Sequence, residues 1–334
     1  MNPETRKVQI TGGSTYIISL PKTWAESNNI EKGDSLTLWP RDDGHLIVEP
    51  RTVSGGKRME VILSEESPAH LLRRLVGLYM AGHRQMKFTT EVRMSQKTRN
   101  AIRELTRRVV GTEIVEESGD FVLVQDFLDP SDLPLDRTVR RMFVMASSMF
   151  KDSIISVGES DPDLAKDVQL RDDEVDRLYW LVAKQFNMVL KDPILASKMG
   201  MTSLECLNYR AVARTIERIA DHACKIAVYS TELQKADVNP ATMKLIEDYS
   251  LLSADLFEKS VQAFYERDLG LANKTIDVVA KESGFRQKLA RNIPKEDSTF
   301  AVALAFISDS IERVASYSAN IAEIAINHVT LKES

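Results

Sequence analysis

Cysteine is almost absent from this chain of 334 residues, and long apolar runs are missing altogether. The two cysteines, Cys206 and Cys224, fall within one predicted helix, where their spacing separates them by about 27 Å, too far for a disulfide bond. No apolar run approaches the roughly 18 residues that a membrane-spanning helix needs. The N-terminal residues also lack the pattern of a secretory signal. We therefore expect a cytoplasmic protein without membrane insertion.

The motifs of the common enzyme classes are missing as well. The chain contains no Gly-x-Ser-x-Gly, no His-Glu-x-x-His and no Walker lysine, and none of its histidines has Glu-x-x-His spacing. Gly12 and Gly13 precede a predicted strand rather than a helix, so they predict a hairpin turn and not a phosphate-binding loop. We expect no enzymatic activity, although paired carboxylates on bundle helices leave a metal-dependent phosphatase as an alternative.

The net charge of −5 is unevenly distributed. Residues 61–110 carry ten basic and four acidic side chains, whereas residues 111–334 carry 26 basic and 37 acidic ones. The basic segment suggests an anionic partner, and the acidic one either holds cations or forms solvated helix faces. On a predicted helix, four arginines could meet phosphates or pair with the acidic part of the same chain: Arg99, Arg103, Arg107 and Arg108.

Three kinds of pattern follow one another along the chain. Residues 5–50 alternate short β-prone runs with turns, residues 59–129 alternate strands with helices, and residues 134–332 are helical. Short connections between long helices predict antiparallel bundles. The predicted helices are 136–158, 162–191, 199–233, 240–267, 269–292 and 297–330. The predicted domains are 1–52, 59–130 (a small α/β unit), 134–233 and 238–332.

Residues 5–50 resemble the swapped-hairpin domain of the AbrB, SpoVT and MazE regulators. TRKVQITGGSTYIISLPKTWAESNNIEKGDSLTLWP has a basic pair before the first strand, a glycine turn, a strand ending in proline, a short helix and I-x-x-G-D before a last hairpin. The resemblance implies a β-barrel built by two interlocked chains, hence a homodimer, and promoter or operator DNA as a partner. The DNA-binding residues it implies are Arg6, Lys7, Ser14, Thr15 and Lys22.

This N-terminal resemblance has one departure. Ala25 and Glu26 stand where the AbrB type carries basic residues on its short helix. A domain that only dimerises, without contacting DNA, is therefore the alternative.

The helical part contains an internal duplication. TIERIADHACKIA at 215–227 recurs as SIERVASYSANIA at 310–322, and MFKDSI at 149–154 is echoed by LFEKSV at 256–261. On a helical wheel, the apolar residues of the first stretch form a stripe about 120° wide. Glu217 and Asp221 lie together just past its edge, with about 6 Å between their β-carbons. His222 points about 100° away from Asp221 and is expected at the polar edge.

Two neighbouring carboxylates repel each other unless a cation lies between them. Arg214, one turn before Glu217, could supply that cation in surface ion pairs worth at most about 1 kcal/mol. Alternatively, a metal ion could bind between these carboxylates and the acidic run at 172–176 of the preceding helix. The spacing leaves both interpretations open.

The same stretches resemble the signature of PhoU domains, in outline R-x-x-E-R-I-x-D-H-x-x-x-I. RTIERIADHACKIA matches it closely, and DSIERVASYSANIAE matches it again. The resemblance implies tandem three-helix bundles that damp phosphate uptake, and a divalent or trivalent metal ion (Fe, Zn, Mg, Mn or Ca) on a Glu/Asp-x3-Asp motif. We expect the metal at Glu217 and Asp221, with Asp173 and Asp176 facing them.

The second copy departs from the metal motif. Glu312 is kept, but Ser316 replaces the second acid, and Asp309 lies one turn before Glu312. We therefore expect a weaker second metal site at Asp309 and Glu312, or none.

Together, the two resemblances make the chain similar to the PhoU-type phosphate uptake regulators of archaea. They imply a phosphate-responsive negative regulator of phosphate uptake or transcription, in which a metal-binding helical module is coupled to a DNA-binding domain. The alternative is an accessory protein that docks on a phosphate ABC transporter subunit or a sensor kinase, with an N-terminal domain that only dimerises.

Overall fold

The structure is a computed structural model, which describes residues 3–40, 44–50, 58–64, 66–130, 132–233, 239–282, 284–290 and 298–330. The chain divides into two compact units, Met1–Gly56 and Lys57–Ser334.

The first unit consists of two separate antiparallel hairpins and one short helix. Gly12 and Gly13 adopt positive φ angles of 61° and 83°, a conformation that glycine adopts easily, and so allow the first hairpin to turn. Pro21 is the N-cap of the helix and sets its start. The elements are β1 (Gln9–Thr11), β2 (Thr15–Ile17), α1 (Lys22–Ser27), β3 (Leu36–Pro40) and β4 (Leu46–Pro50).

The two hairpins belong to different sheets, so the described residues of one chain close no barrel. They leave a large apolar surface uncovered, with Tyr16 as much as 73% exposed. A surface of this kind is expected to be buried against another molecule. Closure of the barrel by a second protein chain stays a prediction. The exposed apolar residues are Val8, Ile10, Tyr16, Ile17, Ile18, Leu38 and Leu46.

The second unit begins with a small α/β layer, as predicted. Its four strands are ordered β5-β6-β8-β7, with β5 and β6 parallel and β8 antiparallel to both of its neighbours. Side chains of Ser67 and Ser95 cap the two helices by accepting backbone N–H groups. The elements are β5 (Arg58–Ile62), α2 (Pro68–Met80), β6 (Gln85–Thr89), α3 (Gln96–Arg108), β7 (Thr112–Glu117) and β8 (Phe121–Asp126).

The rest of the second unit is helical and duplicated. One bundle contains α4, α5 and α7, and the other contains α8, α9 with α10, and α11. None of the helices in the described ranges is long and apolar enough to cross a membrane. The helices are α4 (Leu135–Glu159), α5 (Pro162–Lys191), α6 (Pro193–Lys198), α7 (Ser203–Leu233), α8 (Pro240–Glu266), α9 (Leu269–Lys281), α10 (Phe285–Ala290) and α11 (Ser298–Thr330).

The two copies repeat details of their turns. Helices α4 and α8 both end at a residue in the left-handed conformation, Ser160 (φ 55°) and Arg267 (φ 57°). An aspartate then caps the next helix in each copy, Asp161 before α5 and Asp268 before α9. The duplication read from the sequence is therefore present in the backbone.

Two predicted helices have different bounds in the structure. The helix predicted over 199–233 begins at Ser203, because Gly200 adopts a positive φ of 68° after the short helix α6. The helix predicted over 269–292 is interrupted after Lys281 and resumes at Phe285, with Gly284 at a φ of 98°. Both interruptions occur next to glycines that leave the helical conformation.

The C-terminal half of α5 holds the α/β layer against the first bundle. Asn187 donates its side-chain amide to the carbonyl of Met80 at 2.9 Å, and Lys191 donates to the carbonyl of Ala81 at 2.6 Å. These carbonyls lie at the C-terminal end of α2, where helix carbonyls lack partners within the helix. Lys184 of α5 forms an ion pair with Asp126 at the end of β8.

Candidate metal centre

Acidic side chains of α5 and α7 lie close together in the first bundle. Glu217 and Asp221 are one turn apart on α7, and Asp172 and Asp176 are one turn apart on α5. The carboxylate of Asp221 contributes to a raised pKa at each of the other three. The cluster therefore joins the α7 pair with Asp172 and Asp176 of α5.

Burial and mutual repulsion shift the titration of these groups. Loss of hydration, followed by the charge of Asp221, raises the pKa of Glu217 to about 7 and that of Asp172 to about 7. The same two causes raise the pKa of Asp176 to about 6. Loss of hydration also raises the pKa of Asp221, against the opposing charge of Arg214. Near neutral pH, a proton or a cation is therefore needed to relieve the repulsion.

Glu217 is the most buried member of this acidic cluster. Its residue is 8% exposed, and Arg214 Nη1 donates to its Oε1 at 2.5 Å. Its Oε2 is buried without a hydrogen-bond partner among the described residues. An unpaired buried carboxylate oxygen is costly, and a bound cation would supply the missing partner. Carboxylate oxygens of this kind suit hard divalent cations.

The expected ligand residues do not converge completely. Within the described ranges, no three His, Cys, Asp or Glu side chains surround one point at which a metal could bind. Asp173 is exposed beside the cluster and acts on it through its charge. Asp172, which the sequence placed only within the acidic run, is coupled to Asp221 instead. Its spacing of four from Asp176 was the signal that could have identified it. Metal binding stays a prediction.

Three arginines of α3 pair with acidic groups of the same chain. Arg99 forms an ion pair with Glu117, and Arg103 Nη2 lies 3.2 Å from the same carboxylate. Arg108 Nε donates to Glu104 at 2.7 Å, and its pKa is raised by this bond and further by the charges of Asp173 and Asp176. The α/β layer therefore brings a basic group to the rim of the acidic cluster.

In the second helical repeat, the acidic side chains of Asp309 and Glu312 have different partners from those of the first repeat. Glu312 Oε1 accepts the backbone N–H of Gly284 at 3.3 Å, at the interruption between α9 and α10. Asp309 lies 3.8 Å from Arg313, and the Ser316 hydroxyl donates to the carbonyl of Glu312 at 2.9 Å. The carboxylate of Glu312 thus contacts the broken helix, which has no counterpart in the first copy.

The surroundings of Glu312 are also less acidic than those of Glu217. The shift of 107 residues that aligns 149–154 with 256–261 places Val279 at the position of Asp172 in the first repeat. A cavity of about 80 Å³ beside Glu312 is lined largely by apolar side chains, including Leu252, Leu256 and Phe285. That the second site is weaker stays a prediction.

His222 does not lie at a polar edge, so that expectation is wrong. The residue is buried, and its Nδ1 lies 3.1 Å from Ser310 Oγ of α11. Burial lowers the pKa of His222 to about 4. A helical wheel of α7 alone does not include α11, which covers this side of the helix.

The residues implied for DNA binding lie in exposed parts of the first unit. Arg6 and Lys7 precede β1, whereas Ser14 and Thr15 lie at the turn of the same hairpin. Lys22 opens α1, and its Nζ lies 3.7 Å from Glu26. Arg6 forms an ion pair with Glu4. Within a single chain, Arg6 and Lys7 therefore lie at the opposite end of the hairpin from the turn. The charges of Arg6 and Lys22 are partly neutralised by their acidic neighbours.

Asp172→Asn is expected to gain stability relative to the unchanged protein as the pH rises from about 5 to about 8 with a chelator present. The folded-state pKa of Asp172, about 7, lies above its ordinary value, so the folded form retains a proton that the unfolded form has lost. The stability that this gives is complete below about pH 4 and is lost as the pH rises through about 7. Thermal unfolding of both proteins at several pH values measures the difference, in which the contributions of groups that do not interact with Asp172, such as His222, cancel. Parallel curves would mean that Asp172 is not held in the acidic cluster.

Two family models match the chain. The PhoU domain matches residues 139–229 and 246–325, just over half of the chain. The model for "Antidote-toxin recognition MazE, bacterial antitoxin" matches residues 9–55. A search of curated proteins finds no match.

Solved structures share the helical fold. PhoU from Pseudomonas aeruginosa is 17% identical, with a TM-score of 0.54, and the similarity covers 59% of this chain and 95% of that one. The phosphate transport system regulatory protein PhoU from Streptococcus pneumoniae is 15% identical, with a TM-score of 0.52, and the coverage is 59% and 93%. At these identities the likeness shows a common fold. Archaeal origin stays a prediction.

Proposed function

The chain belongs to the PhoU family, and on that premise we propose that it is a negative regulator of phosphate transport. The observation that carries the proposal is the match of the PhoU model to both helical repeats. One protein with this fold is described as a phosphate transport system regulatory protein. We propose a regulatory rather than a catalytic role, exerted through contacts with transport components and with DNA.

The helical repeats are the proposed sensing part. The acidic cluster supports a cation at Glu217 and Asp221, completed from α5 by Asp176 and by Asp172 or Asp173, because Glu217 Oε2 is buried without a partner among the described residues. When bound, a metal ion would supply a positive centre that attracts phosphate oxygens. Arg214 and Arg108 would then be free to change their pairing, which links occupancy of the cluster to the contact between α3 and the bundle.

Phosphate uptake by cells tests the proposal. Deletion of the gene is expected to raise uptake of labelled phosphate in phosphate-rich medium, because a negative regulator is lost. The intact gene should restore low uptake, whereas a gene carrying Glu217→Gln and Asp221→Asn should not. Asp163→Asn with Asp167→Asn, an exposed acidic pair of the same spacing on α5, should restore it fully. Unchanged uptake in the deletion strain would contradict the proposal.

The MazE-like unit is the proposed DNA-binding part, and its salt dependence is the measurable property. Binding to a DNA fragment from upstream of phosphate transporter genes should weaken as salt rises, with a log–log slope of about −0.9 for each phosphate contacted. Arg6→Ala with Lys7→Ala should reduce the size of this slope by about 2 for each chain that contacts DNA. Fluorescence anisotropy between about 50 and 300 mM salt measures it. Lys32→Ala removes an exposed lysine of the same unit and should leave the slope unchanged.

A regulator without DNA binding is the second candidate, and two ion pairs favour it. Arg6 is paired with Glu4 and Lys22 lies near Glu26, while residues 1–60 carry eight basic and eight acidic side chains. In that case the first unit would only dimerise, and the bundle would dock on a transporter subunit or a sensor kinase. Copurification of a transporter subunit, together with failure to bind any DNA fragment, selects this candidate.

A further inference from the structure

Helices α4 and α8 lie side by side where the two bundles meet, and two cavities open along this line. We refer to residues 140–155 of α4 and 247–266 of α8 as the α4–α8 seam. One cavity, of about 650 Å³, is lined by residues that include Arg140, Val144 and Tyr265. The other, of about 380 Å³, is lined by residues that include Ile155 and Leu251. The seam is therefore concave on both sides of its centre.

The two cavities are equivalent positions of the duplicated fold. The repeat that aligns residues 149–154 with 256–261 has a shift of 107, which also aligns Lys151 with Glu258. These two residues meet at the centre of the seam, with Lys151 Nζ 2.6 Å from Glu258 Oε1. The same shift aligns Val144 of the first cavity with Leu251 of the second. The seam thus has approximate twofold symmetry about the Lys151–Glu258 ion pair.

The charges at the two ends of the seam break this symmetry. The shift of 107 aligns Arg140 with Glu247. Arg140 lies at one end, with its guanidinium 4.3 Å from the centre of the Tyr265 ring, in a cavity that Glu266 also lines. Glu247 lines the cavity at the other end, with Lys244 Nζ 4.0 Å from its carboxylate. Shape alone would accept an elongated occupant in either direction, whereas opposite charges at the ends accept only one.

The apolar side chains of the seam are open to solvent. Val144 is 60% exposed, Ile155 43% and Leu251 70%. Val144 lines the first cavity and Ile155 and Leu251 line the second, with Lys151 lining both. Exposed apolar residues gathered in a groove mark an interaction surface more often than scattered ones do.

We propose that the α4–α8 seam binds one amphipathic helix of a partner protein, with an acidic side chain at the Arg140 end, a basic side chain at the Glu247 end and apolar side chains between them. The sixteen residues from Arg140 to Ile155 span about 22 Å, so the bound helix has about 16 residues. Its apolar side chains fill the two cavities. A second copy of this chain that docked through the same surface would place its own cavities opposite these, and no side chain would fill them.

This proposal goes beyond the proposed function, and its test needs neither metal nor phosphate. Three designed helical peptides of 16 residues share one apolar stripe and differ at their ends: one is acidic at one end and basic at the other, one is acidic at both, and one is basic at both. The full chain should bind the mixed peptide at least about tenfold more tightly than either of the others, by fluorescence anisotropy, because only that peptide matches both ends.

Variants of the chain make the test specific to the seam. Arg140→Glu leaves an acid at both ends, so preference should move to the peptide that is basic at both ends. Leu251→Lys should weaken the mixed peptide at least about tenfold, since it places a charge among the apolar side chains. Val92→Lys, at a residue of the α/β layer that is 76% exposed, should not change binding.

Two results would overturn the proposal. One is binding of the three peptides with similar affinity, or binding that Leu251→Lys leaves unchanged. The other is that neither protein binds a peptide and that light scattering gives a smaller assembly for the Leu251→Lys variant than for the unchanged protein. The seam would then be covered by a second protein chain.

Discussion

Replacing Glu217 with glutamine and Asp221 with asparagine is expected to abolish the stabilisation of this protein by divalent cations. In the unchanged protein, a cation such as Mn²⁺ at about 100 times its dissociation constant should add about 2.7 kcal/mol to the free energy of unfolding. The double variant lacks two of the charges that would hold the ion and should gain almost nothing. Without metal, the variant should be at least as stable at pH 8, because repulsion within the cluster is reduced. Thermal unfolding with chelator and with added Mn²⁺, alongside metal analysis, measures both effects.

The control for this experiment is an acidic pair of the same spacing. Asp163→Asn with Asp167→Asn removes two exposed carboxylates from α5, and its stabilisation by Mn²⁺ should equal that of the unchanged protein. If all three proteins gain equally and hold equal metal, the acids of α7 are not metal ligands. Glu217 would then be explained by its ion pair with Arg214 alone.

Lys184→Met is expected to lower the free energy of unfolding by about 3–5 kcal/mol, because it leaves a buried carboxylate without its partner. The side chains of Lys184 and Asp126 are each 2% exposed. Asp126 Oδ1 retains one donor, the backbone N–H of Leu128 at 3.1 Å, which does not neutralise the charge. Urea unfolding with a constant m-value measures the loss.

A second variant separates the lost ion pair from a simple loss of packing. Lys184→Met combined with Asp126→Asn removes both charges, and most of the stability should return, since an uncharged pair of similar shape often replaces a buried ion pair at little cost. Lys198→Met, at an exposed lysine, should change stability by less than about 0.5 kcal/mol. A double variant as unstable as Lys184→Met would show that the methionine disturbs packing and that the charge is not the cause.

Local signals in the sequence predicted most of the secondary structure. Ser95 was expected to cap its helix and does so, and the turn at Ser118–Asp120 separates the strands of the expected hairpin. The spacing of apolar residues predicted the helices, and the repeated stretches predicted that these helices form two bundles. Signals of this kind depend on neighbours within about four residues, which is why the sequence contains them.

Contacts between distant elements could not be predicted in the same way. Lys184 and Asp126 are 58 residues apart, and no spacing rule connects a lysine on a helix with an aspartate at a strand end. The burial of His222 depends on Ser310, 88 residues later. The break before Gly284 was missed because the surrounding sequence is compatible with a continuous helix.

The acidic cluster lies between these two cases. Glu217 and Asp221 were identified from their spacing on one helix, but their facing partners had to be chosen within an acidic run without knowing the rotation of α5. The charge of Asp221 acts on Asp176, which the expected ligand set includes, and equally on Asp172, which that set leaves out. A helical wheel gives the relative directions of residues on one helix, and only packing between helices decides which direction faces the partner.

The ion pair between Lys151 and Glu258 bears on how the two halves of the molecule came to depend on each other. Two identical three-helix chains arranged about a twofold axis would place the same side chain on both sides, and lysine facing lysine or glutamate facing glutamate repels. Opposite charges at matching positions are possible only when the two halves differ in sequence, as they can once both lie in one polypeptide. This contact favours each half joining the other over joining a copy of itself.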